Sequence, residues 1–159
     1  MSDIRLKGII DEDFVNYKVP SMSLMFPICS FKCGKQNCQN TELYKSKDIL
    51  IDTDALCQRY LNNPITEAVV CQGLEPLDSL NDLFHFIKTL RNKYKCDDDI
   101  VIYTGYDEDE VTQEIDILKK FFANIIIKFG RYIPNDETHF DDILGVKLAS
   151  NNQYAKKIS

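Results

Sequence analysis

Cys29, Cys33 and Cys38 fall within ten residues, in the run Cys29-Ser-Phe-Lys-Cys33-Gly-Lys-Gln-Asn-Cys38. Three thiolates this close together suit an iron–sulfur cluster or most of a zinc site, since both centres take sulfur ligands. A structural zinc ion wants four closed ligands. The chain has no second C-x2-C pair, so zinc would have to borrow Cys57 or His85. A four-iron cluster on three thiolates instead leaves one iron open to a further ligand, which is the logic of a catalytic centre.

The rest of the composition narrows the setting. At 159 residues the chain is read as one domain, 1–159, long enough to bury a core. A net charge of −6 argues against a nucleic acid or an anionic membrane as partner, since both need a basic patch. No run approaches the roughly 18 apolar residues of a membrane span. Met-Ser-Asp-Ile-Arg is not a secretory signal, so a cytoplasmic location is expected. In a reducing compartment the clustered cysteines read as metal ligands, and Cys57, Cys71 and Cys96 as buried or incidental thiols.

Periodicity supplies the elements that must hold these residues. Residues 22–28 read as a first strand ending near Pro27, and Thr41 to Ser46 as the start of a short helix. Asp52 offers an N-cap to a helix carrying Leu56, Tyr60 and Leu61 on one face. Ala68-Val-Val-Cys71 fits a buried strand, and Leu80, Leu83, Ile87, Leu90 and Tyr94 give helix 79–94 its apolar stripe. The cycle repeats with strand 100–104, a helical face of Val111, Ile115, Leu118 and Phe122, and strand 124–129. Residues 1–20 are assigned no element, though Phe14, Tyr17 and Val19 are candidates to pack on the body of the domain. After the apolar stretch 144–148 the chain reads as a polar tail. Strands alternating with amphipathic helices imply an α/β fold of parallel βαβ units. With about five strands, an open, partial parallel β/α barrel is expected, and a doubly wound sheet is the competing architecture.

In either architecture the C-terminal strand ends share one edge, where sites form. The cysteine run follows the first strand, Gly73-Leu74-Glu75-Pro76 the second, Thr104-Gly105-Tyr106 the third and Gly130-Arg131-Tyr132 the fourth. Four breaks therefore converge on one rim, with glycines where a ligand can approach the backbone. A cluster with an open iron there could chelate the methionyl group of S-adenosylmethionine, an agent of radical chemistry. Glu75 is placed to meet its cationic amine, and Thr104-Gly105 its adenosine. Read without any family resemblance, Glu75 is better taken as a solvated turn acid or one favoured by a helix N-terminus. Arg131 reads as a surface or rim residue, His85 as packing or surface, and His139 as solvated. The acidic runs 97–99 and 107–110 read as solvent-facing caps.

With these residues in view, the sequence resembles the radical S-adenosylmethionine enzymes, and most closely the small activating proteins of anaerobic ribonucleoside-triphosphate reductase. The resemblance covers nearly the whole chain: Gly8-Ile-Ile-Asp-Glu-Asp-Phe14-Val-Asn-Tyr17, the cysteine run ending Cys38-Gln-Asn40, Gly73-Leu-Glu-Pro76-Leu, Tyr103-Thr-Gly-Tyr106, Gly130-Arg-Tyr-Ile-Pro134 and Ser150-Asn-Asn-Gln153. It implies a [4Fe–4S] cluster on Cys29, Cys33 and Cys38. S-adenosylmethionine would be held by Gly73, Glu75 and Pro76, with Leu74 where the family usually has glycine. It also implies a 5′-deoxyadenosyl radical, a glycine loop of the anaerobic reductase catalytic subunit as its target, and a flavodoxin- or ferredoxin-like electron donor. Two features depart from the family. Its common spacing is C-x3-C-x2-C, against C-x3-C-x4-C here, and the aromatic expected before the third cysteine is Asn37, with Phe31 a partial substitute. Other readings are the same chemistry on another protein, peptide or small molecule, and a non-catalytic zinc or iron–sulfur module.

Overall fold

The computed structural model describes residues 2–28 and 46–159. In chain order the strands are β1 (Asp3–Leu6), β2 (Gly8–Asp13), β3 (Ser21–Phe26), β4 (Ile49–Asp52), β5 (Ala68–Gly73), β6 (Asp99–Tyr103), β7 (Ile125–Phe129), β8 (His139–Asp141), β9 (Val146–Leu148) and β10 (Tyr154–Lys157). The helices are α1 (Thr53–Leu61), α2 (Leu80–Lys88) and α3 (Thr112–Phe121). The helix expected from Thr41 falls outside the described residues.

Six strands make the central sheet, in the order β10-β7-β6-β5-β3-β2. The four inner strands run parallel, and β2 and β10 flank them antiparallel. Each inner strand alternates its side chains between two apolar clusters, as the two-residue period of a strand requires. Val69 and Cys71 of β5, with Ile100 and Ile102 of β6, face a core shared with Leu56, Tyr60, Leu83, Phe86, Ile87, Ile115 and Leu118 of the three helices. Ala68, Val70, Val101 and Ile126 face the other way, against Tyr17, Leu144, Leu148 and Ala155.

All three helices therefore back one face. The opposite face is covered by the 14–20 segment and by the β8–β9 hairpin. This corrects the doubly wound alternative, which needs helices on both faces. It agrees with a mostly parallel α/β sheet, but the sheet is open: β2 and β10 are its two edges and do not pair with each other.

The helices form where the pattern put them. Asp52 caps α1 by accepting from the Ala55 N–H at 3.0 Å, satisfying one orphan donor of the first turn. In α2 and the π-turn that continues it, Thr89–Lys93, Leu83, Phe86, Ile87 and Leu90 are fully buried. Each contributes on the order of 2 kcal/mol of burial free energy. The π-turn carries Arg91, whose buried guanidinium donates to the carbonyls of Cys96 and Ala123, both at 2.9 Å. These bonds lock the edge of the sheet opposite the rim. Asp98 and Asp99, expected to face solvent, accept from the Tyr60 and Tyr17 hydroxyls at 2.6 and 2.7 Å.

Six of the described strands, β1, β2, β4, β8, β9 and β10, escaped the periodicity. β1 pairs with β4 across more than forty residues and buries Ile4 and Leu6 against the helical core. β2 and β10 border the central sheet, so one flank of each lacks a neighbour and their sequences are correspondingly polar. Of the N-terminal candidates, Tyr17 is buried, Val19 packs against the helix-free core and Phe14 is exposed. Leu61, expected on the apolar face of α1, is also exposed. His139, expected in solvent, sits half-buried on β8.

Candidate functional site

The rim is assembled by backbone geometry before any side chain acts. Gly73 ends β5 with φ +89°, opposite Phe26 of β3. A Cβ there would stand 2.6 Å from both the Met25 Cα and the Phe26 nitrogen, so only glycine lets the strands approach this closely. The chain then stays beside the exit of β3. The Leu74 N–H donates to the Phe26 carbonyl at 3.1 Å, and the Glu75 N–H to the Ile28 carbonyl at 2.8 Å. Ile28 immediately precedes Cys29 in the sequence.

Glu75 ties two loops together. Its Oε1 accepts from the Gly105 N–H at 2.8 Å, and its Oε2 accepts from the Leu77 N–H at 3.2 Å. The Thr104 hydroxyl adds a side-chain hydrogen bond. Glu75 thereby caps the short turn Pro76–Ser79, in which Pro76 takes an early position that needs no N–H partner. Leu74, Glu75, Pro76 and Leu77 are all buried.

The next loops join the same row. Thr104 N–H donates to the Lys128 carbonyl at 2.9 Å, and Gly130 N–H to the Tyr106 carbonyl at 3.0 Å. The Tyr106 hydroxyl reaches Asp78 at 2.6 Å. Arg131 forms an ion pair with Glu110 at 2.8 Å, linking the loop before α3 to the loop after β7. The polar segment Ser150–Gln153 closes the row from behind. Gln153 accepts from the Ala149 and Ser150 N–H groups, both at 3.1 Å, and donates to the Gly130 carbonyl at 3.3 Å. Asn152 donates to the Arg131 carbonyl at 2.9 Å.

Two buried ionisable groups belong to this row. Burial pushes the Glu75 carboxyl up to about 7, outweighing the N–H donors that favour its charge. Burial also pulls the Lys128 ammonium down to about 8, against the opposing influence of Glu75. A carboxyl that binds protons more tightly when folded loses stability as pH rises between its ordinary 4.5 and about 7. A lysine that binds them less tightly regains stability as pH rises between about 8 and its ordinary 10.5. The full chain should therefore show a stability trough near pH 7–8. Glu75→Gln should remove the acid-side limb, worth on the order of 3 kcal/mol, when urea midpoints are followed from about pH 4 to about 8. Parallel profiles for the two proteins would show that Glu75 does not titrate this way.

The structure brings Gly73, Leu74, Glu75, Pro76, Thr104 and Gly105 into one hydrogen-bonded group, as the converging breaks required. Cys29, Cys33 and Cys38 lie outside the described residues, as do Phe31 and Asn37. Cys57, Cys71 and Cys96 are buried in the helical core. Burial raises all three thiols, Cys57 to about 12, so none is a ready thiolate. His85 shares a 2.7 Å hydrogen bond with the Ser2 hydroxyl. Among the described residues no group of three or more His, Cys, Asp or Glu side chains is placed to hold a metal ion.

Sequence reasoning missed Lys128 and the clamping role of Gln153. Lys128 had a signal: it is the one charged residue in the apolar run Ile125-Ile-Ile-Lys-Phe129. The clamp's residues stood out as Ser150-Asn-Asn-Gln153, but its role did not, because its long-range partner is the Gly130 carbonyl, 23 residues away.

Among the described residues no helix is long and apolar enough to cross a membrane. No curated protein sequence matches the chain. A family model described as a 4Fe-4S single cluster domain matches residues 20–152, a span that runs from the start of β3 through the three cysteines to the clamp. The chain belongs to this 4Fe-4S single cluster domain family.

Proposed function

We propose that this chain is a radical S-adenosylmethionine activase that generates a glycyl radical on an anaerobic ribonucleotide reductase. The observation that carries the reading is the rim. The loops after β5, β6 and β7 are hydrogen-bonded into one row, and that row is bonded to Ile28, from which the three-cysteine segment departs. A cluster domain with three clustered thiols, one short of four, that follow Ile28 in the sequence suits a cluster iron that binds a second molecule. Helices on one face of a parallel sheet also suit an open β/α barrel.

Cys29, Cys33 and Cys38 would hold the [4Fe–4S] cluster. When bound, the cluster and S-adenosylmethionine supply a one-electron reductive cleavage that yields methionine and a 5′-deoxyadenosyl radical. The part of this chain is to bind and orient. Gly73 keeps the backbone of residues 73–76 close to the exit of β3, giving the methionyl group main-chain partners. Both oxygens of Glu75 already accept backbone N–H groups, so Glu75 shapes the loop and offers a cationic amine the field of a buried carboxylate. Thr104 and Gly105, held by Glu75 and by the Lys128 carbonyl, would face adenosine. The radical would take a hydrogen atom from a backbone glycine of the reductase, in the cytoplasm, with a flavodoxin- or ferredoxin-like protein supplying the electron.

Anaerobic reconstitution with iron and sulfide, then dithionite and S-adenosylmethionine, tests the reading. We expect 5′-deoxyadenosine above a no-protein control, and a glycyl-radical doublet in the electron paramagnetic resonance spectrum after mixing with a reductase. A bound cluster with no 5′-deoxyadenosine would leave a non-catalytic iron–sulfur module. 5′-deoxyadenosine without the doublet on any reductase would move the target to another protein, a peptide or a small molecule.

A further inference from the structure

The three clustered cysteines lie, in sequence, between the end of β3 and the start of β4. The two strands that flank them meet at one residue, Lys7. It is the single residue between β1 and β2, and there the chain changes partners. Leu6 pairs with Ile49 of β4, whereas Gly8 pairs with Met25 of β3. The Lys7 N–H donates to the Met25 carbonyl at 2.7 Å, on the strand that leads towards Cys29. Its side chain serves the other strand. The ammonium forms an ion pair with Asp48 at 2.8 Å and donates to the Ser46 carbonyl, just before β4 begins.

Exposed ion pairs are weak, because water screens them and two long side chains must be immobilised. Lys7 differs, since its side chain is only 9% exposed and its charge depends on the partners it has. Arg5 supplies the contrast: it approaches the same Asp48 carboxylate at 3.8 Å from a side chain that is 57% exposed. From this geometry we propose that Lys7 is a positioning residue for the iron–sulfur cluster, clasping the two ends of the cysteine-bearing segment and so setting the span that the segment closes. Closing a loop costs conformational entropy, and a metal centre bears that cost when the ends of its loop are free. With the ends already held, more of the thiolate binding energy is left for the metal. On the β3 side the Glu75 N–H adds a second hold, on the Ile28 carbonyl at 2.8 Å. Lys7 precedes residues 20–152, so membership of the cluster family assigns it no part. The proposal rests on the three cysteines as cluster ligands and not on the radical reading.

The test follows iron release to a chelator from the anaerobically reconstituted full chain, read as loss of the cluster absorption band. Lys7→Met, which keeps the apolar stem and removes the charge, should release iron about tenfold faster than wild type. Lys7→Arg should restore most of the wild-type rate, and Arg5→Met should leave it unchanged. Asp48→Asn breaks the same pair from its more exposed side and should accelerate release several-fold, even where Lys7→Met fails to fold. The melting midpoint of cluster-free Asp48→Asn, followed by circular dichroism, should stay close to wild type, which separates positioning from a general loss of fold. Because the Lys7 ammonium is shielded from solvent, the acceleration should persist from about 0.1 to about 1 M salt. Wild-type release rates in Lys7→Met and Asp48→Asn, or an equal acceleration in Arg5→Met, would overturn the role of Lys7. Wild-type protein that takes up no iron would instead overturn the cluster assignment on which that role rests.

Discussion

Anaerobically reconstituted Cys33→Ala protein should lose the four-iron absorption band, its iron content falling from about four per chain towards zero. The loss should be near complete because no described thiol can replace it. Cys57, Cys71 and Cys96 are sealed in the core, and burial keeps their thiols protonated. Cys71→Ala is the matching control. It should keep the full cluster while destabilising the fold, by about 1–2 kcal/mol for the small cavity left between β5 and the helices. Circular dichroism should show Cys33→Ala folded, so that the lost iron reports a lost ligand. A full cluster on Cys33→Ala would remove Cys33 from the ligand set. Loss of the cluster in Cys71→Ala would move the centre into the sheet. The two outcomes separate a ligand error from a fold error.

Gly73→Ala should be the most damaging single substitution at the rim. Two costs add. The positive φ disfavours any side chain by about 1–2 kcal/mol, and the new Cβ meets backbone atoms of β3 at 2.6 Å, where no rotamer change gives relief. β3 and β5 must separate at the Phe26–Gly73 pair, endangering the Leu74–Phe26 and Glu75–Ile28 hydrogen bonds that follow. A loss of about 4 kcal/mol is expected, lowering the thermal midpoint by roughly 10 °C in a chain of this size. Because Ile28 moves with β3, cluster yield on reconstitution should fall as well. A wild-type midpoint for Gly73→Ala would mean that the two strands do not approach as described.

Much of this protein was legible as a string. The continuous apolar runs Ala68–Cys71 and Ile100–Tyr103, and the 3-4 spacing from Leu80 to Leu90, marked inner strands and α2, because a strand covered on both faces is apolar throughout and a helix buries one stripe. The glycine breaks after the strands predicted a common rim, since parallel strands bring their C-terminal ends to one edge. The cysteine spacing predicted a cluster, and membership of the 4Fe-4S single cluster domain family agrees with it.

Pairing over long sequence distances was beyond the string. β1 finds β4, and the polar tail becomes β10 beside β7, because backbone hydrogen bonds carry no side-chain signature. The choice of one helical face over two came from crossover geometry and not from composition. Three aspects of the rim were likewise decided only in three dimensions. Glu75 became a tether because the Gly105 N–H lies 2.8 Å from its carboxylate. Lys128 became a buried cation because β7 turns its fourth residue towards the helix-free core. Gln153 became a clamp because the chain returns past Gly130. Local periodicity therefore determined the inner strands and the helical faces, and spacing along the chain grouped the cysteines, whereas burial and long-range backbone contact decided the remaining strands and what the polar residues do.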